Sequence, residues 1–325
     1  MASNMDEKKS GLLTRRQALL SIATITAGAA IAPRAVFGAT PAKDKIKFIA
    51  IGDFGTGDDH QFGIAAQMFR DHKTSPLDFV IAAGDNVYPD GGGRHFAKKF
   101  ERPYAGLIRE GVPFHAVLGN HDVKDGRRDQ CQYQLFNMNG RCYYTIKKGD
   151  GLAEFFMIDS TDFDMAQVGW LEGALKESTA KWKIAIFHHP IYSSAGEHGS
   201  SLGLRSRIQP ILTRYGVNAV ISGHDHTYER VKPQEGVQYF VTGAGGKVRP
   251  GDVDMRSPFR EASFDRDNHY LQMVIEDQQI SFQAITRGGA VIDRGTIAPR
   301  AMAASVGAVI DSGTISPRAM AASAR

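Results

Sequence analysis

Phe79-Val80-Ile81-Ala82-Ala83-Gly84-Asp85-Asn86-Val87-Tyr88 runs from a continuous apolar segment directly into a glycine and a carboxylate. Five apolar residues bounded by turn formers read as a strand that is buried on both faces. The glycine lets the backbone turn, and an aspartate just beyond it can put both oxygens into the crevice past the sheet edge. One such carboxylate can bridge two cations. Taken singly, Gly-Asp-Asn after a strand is also ordinary turn chemistry.

Repetition favours the first reading. Apolar runs of the same kind end in metal-competent side chains at Ile49-Ala50-Ile51-Gly52-Asp53 and at Ala116-Val117-Leu118-Gly119-Asn120-His121-Asp122. Two more follow, Ile184-Ala185-Ile186-Phe187-His188-His189-Pro190 and Ala219-Val220-Ile221-Ser222-Gly223-His224-Asp225-His226. In an open α/β sheet the carboxyl ends of the strands gather on one edge, so ligands far apart in sequence can converge there. Mixed oxygen and imidazole donors suit Fe, Mn or Zn better than calcium.

Around these motifs strands alternate with helices: strands at 46–51, 78–83 and 113–118, helices near 60–72, 94–109, 165–177 and 204–215. Asp58 and Asp59 read as acidic caps at a helix start. Beyond Gly236 only strands are expected, at 237–242, 269–275, 279–286 and 290–297. With 325 residues and 42% hydrophobic content, the chain is long enough for one α/β catalytic domain with a large core, placed at 44–300. Gly289 through Ser305 returns almost unchanged as Gly307 through Ser323. The first copy has a place as the last strand of the second sheet. The second has none, so 301–325 is expected to be a disordered duplicated tail.

Of the formal net charge of +4, Lys8, Lys9, Arg15, Arg16 and Arg34, set against Asp6 and Glu7, account for +3. The remainder is almost neutral and gives no support for nucleic acid as a partner. Thr14-Arg15-Arg16-Gln17-Ala18-Leu19-Leu20, followed by a short Ala- and Thr-rich apolar stretch, resembles a twin-arginine export signal over 1–38. It is too weakly apolar for a stable membrane span. It implies the twin-arginine export machinery as a partner and a periplasmic or secreted location; the alternative is an amphipathic helix of the mature fold. Cys131 and Cys142 are the only cysteines, and both a disulfide and two free thiols remain open.

The five motifs in this order resemble the calcineurin-like metallophosphoesterases, and among them the purple, tartrate-resistant type of acid phosphatase, over roughly residues 45–300. Tyr88, three positions after Asp85, carries the narrower resemblance. Glu197-His198-Gly199 and Thr242-Gly243-Ala244-Gly245 add to it. The resemblance implies a four-layer α/β/β/α sandwich of two mixed sheets flanked by helices, with the metal site at the strand carboxyl ends. It implies a binuclear centre of Fe(III) plus a divalent ion (Fe, Zn or Mn). Asp53, Asp85, Tyr88 and His226 would hold the ferric ion; Asp85, Asn120, His188 and His224 would hold the divalent one. The implied activity is hydrolysis of small phosphate monoesters by attack of a metal-bound hydroxide, with His121 and His198 contacting phosphate and protonating the leaving group. His189 is expected to pack beside a ligand, and Asp122 to orient one. A phosphodiesterase or nucleotide hydrolase on the same site, and more remotely a non-catalytic binding module, are the alternatives.

Overall fold

The computed structural model describes residues 45–299; the leader at 1–38 and the tail at 301–325 lie outside the described residues. Continuous apolar runs become interior strands whose alternate side chains serve two cores. In β5 (Ala153–Met157) and β6 (Trp182–Ile186), Phe155, Met157, Ile184 and Ile186 enter the larger cluster. Phe156 and Ala185 enter the other, with Leu171 and Leu175 of helix α4 (Met165–Glu177) and Ile208 and Leu212 of helix α5 (Leu202–Arg214).

The larger cluster lies between two sheets. Phe48 of β1 (Lys45–Ile51) stacks on Phe79 of β2 (Phe79–Ala82) with centroids 5.2 Å apart, and both meet Phe155 edge-on at 5.2 and 5.3 Å. Burying each such ring contributes roughly 1.5–3 kcal/mol. The first sheet has the order β13-β12-β11-β1-β2-β3, where β3 is Phe114–Ala116, β11 His269–Glu276, β12 Ile280–Thr286 and β13 Val291–Ile297. The second has the order β10-β8-β9-β7-β6-β5-β4, where β4 is Tyr144–Lys148, β7 Ala219–Ser222, β8 Tyr228–Gln234, β9 Val237–Thr242 and β10 Arg260–Phe264. Parallel and antiparallel pairs occur in both, so the sheets are mixed and flanked by helices, as expected. Helix α1 (Asp59–Thr74) starts where the Asp58 carboxylate accepts from His60 N and Gln61 N, and stops at Ser75, ahead of Pro76.

Three expectations are corrected. The single helix near 94–109 is broken into a 3₁₀ turn at Gly93–His95, a wide turn at Ala97–Glu101 and helix α2 at Ala105–Arg109. Pro103 separates the wide turn from helix α2, since it lacks an N–H and its ring collides with the preceding helical turn. The first repeat copy is not the last strand of the second sheet: β11, β12 and β13 extend the sheet begun by β1, which β13 closes, while β9 joins the other sheet beside β7. β8 and β10 were hidden by polar residues that turn out to be paired. In β8, Arg230 Nε donates to Asp293 Oδ2 of β13 at 2.7 Å, and Tyr228 Oη donates to the same oxygen at 2.7 Å. The cysteines form a disulfide with a Cα–Cα distance of 5.7 Å, fastening helix α3 (Arg127–Gln132) to the chain before β4.

Because β13 already supplies the closing strand, paired with β12 from Ile280↔Ile297 to Ile285↔Val291 with one register shift after Ala284, removing residues 307–325 should leave the melting temperature within about 2 °C of the full chain. Calorimetry on the truncated and full proteins tests this. A large drop would show that the second copy packs.

Candidate metal centre

Asp53 follows β1, Asp85 follows β2, Asn120 and His121 follow β3, His188 follows β6, and His224 and His226 follow β7. All five strands belong to the parallel parts of the two sheets, so their carboxyl ends bring these residues to one edge. The backbone is bent hard to do so. Asp53, Asp85 and His224 have φ of 57°, 50° and 74°, a left-handed conformation that is costly for residues other than glycine and concentrates at functional sites. Two glycines make room: a Cβ on Gly119 would lie 2.2 Å from Asp85 Oδ1, and one on Gly223 would lie 2.5 Å from Asp53 Oδ2.

The donors fall into two groups. Tyr88 Oη donates to Asp53 Oδ1 at 3.1 Å and lies 3.3 Å from His226 Nε2, which is 3.6 Å from the same Asp53 oxygen. In the other group His188 Nε2 lies 3.1 Å from Asn120 Oδ1, 3.3 Å from His224 Nδ1 and 3.5 Å from Asp85 Oδ1. Donors around one cation with bonds of about 2.1 Å sit roughly 3.0–3.4 Å apart, so both groups have the spacing of a coordination shell. His188 Nδ1 is 2.9 Å from the Ala83 carbonyl, which can only accept; Nδ1 therefore carries the proton and Nε2 presents a lone pair.

Electrostatics point the same way. Burial, and next the charge of Asp85, push the Asp53 carboxyl well above its usual range. Burial and then Asp53 and Asp85 push the Tyr88 phenol far up. His188 and His226 pair with these carboxylates, and burial lowers both imidazoles and that of neighbouring His224: His188 well below its ordinary value, His226 to about 4 and His224 to about 2. Buried acids beside neutral imidazoles lack the cationic charge that a pair of metal ions would supply, so the donor set fits them.

His121 and His198 lie beside these donors. His121 N donates to Asp85 Oδ1 at 2.9 Å, its Nδ1 is 2.7 Å from the Pro89 carbonyl, and its Nε2 is 4.0 Å from Asp85 Oδ2. His198 stacks on His224 with centroids 4.2 Å apart. Sequence reasoning missed Lys247, whose Nζ lies 3.6 Å from the Tyr88 ring centroid, because it stands in a glycine-rich loop outside every motif. It also missed how Asp122 works. Asp122 Oδ2 accepts from Gly119 N at 2.9 Å and from Asn86 N at 3.0 Å; Oδ1 accepts from Val87 N at 3.2 Å and from Gln130 Nε2 at 2.6 Å. A single buried carboxylate thus ties together the loops that carry Asp85 and Asn120.

The family model described as calcineurin-like phosphoesterase matches residues 46–228. The chain belongs to the calcineurin-like phosphoesterases. Purple acid phosphatase 17 of Arabidopsis thaliana is 30% identical over 247 residues, 66% of this chain and 73% of that protein. Tartrate-resistant acid phosphatase type 5 of Homo sapiens is 27% identical over 265 residues, 70% of this chain and 80% of that one. Among solved structures, GAP50, described as the anchor in the inner membrane complex of Plasmodium, has a TM-score of 0.70 at 20% identity, covering 80% of this chain and 90% of its own. Purple acid phosphatase PPD1 from yellow lupin has a TM-score of 0.67 at 19% identity, covering 78% and 54%. These two show the shared fold. The chain is a phosphoester hydrolase of the metallophosphoesterase fold, similar to the purple acid phosphatases.

Replacing Asp122 by Ala would strand several buried N–H groups at once and should cost about 3 kcal/mol or more. Denaturant unfolding of Asp122→Ala measures this, and metal analysis of the same sample should show depleted occupancy. A variant as stable and as metal-rich as wild type would remove Asp122 from this role.

Proposed function

We propose that this calcineurin-like phosphoesterase is an exported, binuclear acid phosphatase acting on small phosphate monoesters. The observation that carries the reading is the division of the donors into two shells with Asp85 available to both: Tyr88, Asp53 and His226 on one side, and His188, Asn120 and His224 on the other. Carboxylate and phenolate oxygens suit a trivalent ion, so Asp53, Asp85, Tyr88 and His226 would hold Fe(III). The amide and imidazoles of Asn120, His188 and His224, with Asp85, would hold Fe, Zn or Mn as the divalent ion. When bound, the two ions supply Lewis acidity and an acidified water.

The chain's own residues do the remainder. Asp53 and Asp85, fixed by the His224 and His121 backbone N–H groups at 2.7 and 2.9 Å, keep the two shells at a set separation. His121 has Nδ1 committed, 2.7 Å from the Pro89 carbonyl and 3.0 Å from Lys124 Nζ, so it acts through Nε2, whose N–H in the imidazolium form holds a phosphoryl oxygen and passes its proton to the departing alkoxide, leaving the neutral ring. His198 is the second phosphate contact. Its loop is braced by Asp252, whose carbonyl accepts from Gly196 N at 2.7 Å and whose carboxylate accepts from Glu197 N at 2.9 Å. One phosphorus–oxygen bond to the alcohol breaks and one to the oxygen of water forms.

Export rests on the leader around Arg15-Arg16, and the Cys131–Cys142 disulfide supports it, since such bonds persist in oxidising compartments. The reading places the enzyme in the periplasm or outside the cell. Among the described residues no helix is long and apolar enough to cross a membrane.

Two measurements test the proposal. Iron-loaded protein should absorb in the visible through the Tyr88 phenolate, and Tyr88→Phe should bleach it; a colourless wild type active with zinc alone would remove the ferric assignment. His121→Ala should keep its metal while kcat on alkyl phosphates falls by about 10²-fold. The loss should be smaller for aryl phosphates with acidic phenols. Equal loss on both would assign His121 to phosphate binding alone, and a panel of mono- and diesters would expose a diesterase.

A further inference from the structure

His189 differs from the packing residue that its position in the sequence suggested. One of its ring nitrogens lies within 4.8 Å of the ligand nitrogens of both His188 and His224, so the three imidazoles form a cluster able to hold one cation. Its ring is edge-on to His224 at 4.6 Å and to His188 at 5.1 Å. Ser160 fixes that ring. Ser160 Oγ accepts from His189 N at 3.1 Å and lies 2.9 Å from His189 Nδ1, which commits Nδ1 and leaves Nε2 free. A partner on one ring nitrogen that sets the tautomer and orientation of the other is the usual accompaniment of a metal-ligating histidine.

We infer that His189, through Nε2, is a third imidazole ligand of the divalent ion and makes that position selective for Zn(II) over Mn(II). The inference rests on the binuclear reading above and deepens it. With His188 and His224 it changes the position from one shared by oxygen and nitrogen donors to one dominated by imidazole. Imidazole favours Zn(II), which also stands above Mn(II) in intrinsic affinity, whereas Mn(II) prefers carboxylate, carbonyl and water. Ser160 is then a positioning residue that holds the ring toward the ion.

The test is a metal titration that does not depend on turnover. Protein with its ferric position filled, followed by the Tyr88 absorption band, is stripped of the divalent ion and titrated with Zn(II) or Mn(II) against a chromophoric chelator. His189→Phe keeps the ring and its packing while removing both nitrogens, and His189→Ala serves as a second variant. Both should weaken Zn(II) binding by more than the roughly 10- to 100-fold that loss of an outer partner of a ligand costs, with a smaller factor for Mn(II) and an unchanged Tyr88 band. Ser160→Ala should shift Zn(II) in the same direction by less. Wild-type Zn(II) affinity in either variant, or equal losses for both metals, would overturn the assignment, even if KM for the ester rises. If wild type takes up no second ion at all, the binuclear reading fails first and the inference fails with it.

Discussion

Two carboxylates, Asp53 and Asp85, are buried beside each other and beside a phenol, and that concentration of acidic groups governs the rest of the centre. Isolated charges cannot be kept so far from water unless something compensates them. Among the described residues no lysine or arginine at hydrogen-bonding distance does this; imidazoles and backbone N–H groups surround the acids instead. Imidazoles donate lone pairs to a cation, whereas ammonium groups would replace it. The left-handed backbone at Asp53, Asp85 and His224 follows from the same demand, since an ordinary turn would not aim those groups inward.

Much of this was legible because it sits at strand ends. An apolar run that stops at glycine and a ligand residue marks both a strand and where it stops, so five such runs gave the layers and most of the donors together. What could not be read depends on partners distant in sequence. Gln130, on a short helix held by Cys131, accepts from Asn86 Nδ2 and donates to Asp122 Oδ1. The sheet membership of β11 to β13 depends on β11 lying antiparallel to β1, a pairing of segments more than two hundred residues apart, with Lys45 opposite Glu276. The orientation of His189 was hidden for a simpler reason: adjacent residues on an extended backbone normally face opposite sides, and the loop after β6 breaks that rule.

Fold and activity are separable here. A structure described as an anchor shares this architecture at a TM-score of 0.70, so the sandwich alone decides little. The chemistry lies in the loops beyond the strands, and the Asp122 network shows how those loops are kept from drifting. A buried carboxyl outside the two donor groups, pushed up to about 8 by burial and then by Asp85, spends its hydrogen bonds on the backbone of two neighbouring motifs.

The close approach at Gly119 and Gly223 carries an evolutionary consequence. At each, the atoms that exclude a side chain include oxygens of a candidate ligand, Asp85 or Asp53. The glycine is therefore constrained in part by the carboxylate rather than by the turn alone. In a descendant that exchanged Asp85 for a smaller residue, Gly119 would still be held by the backbone nitrogen at that position, 2.3 Å from the same Cβ position, and Gly223 would still face the Ala83 carbonyl at 2.9 Å. The two glycines would thus outlast the metals in such a lineage, so that they record the fold while only the carboxylates record the chemistry.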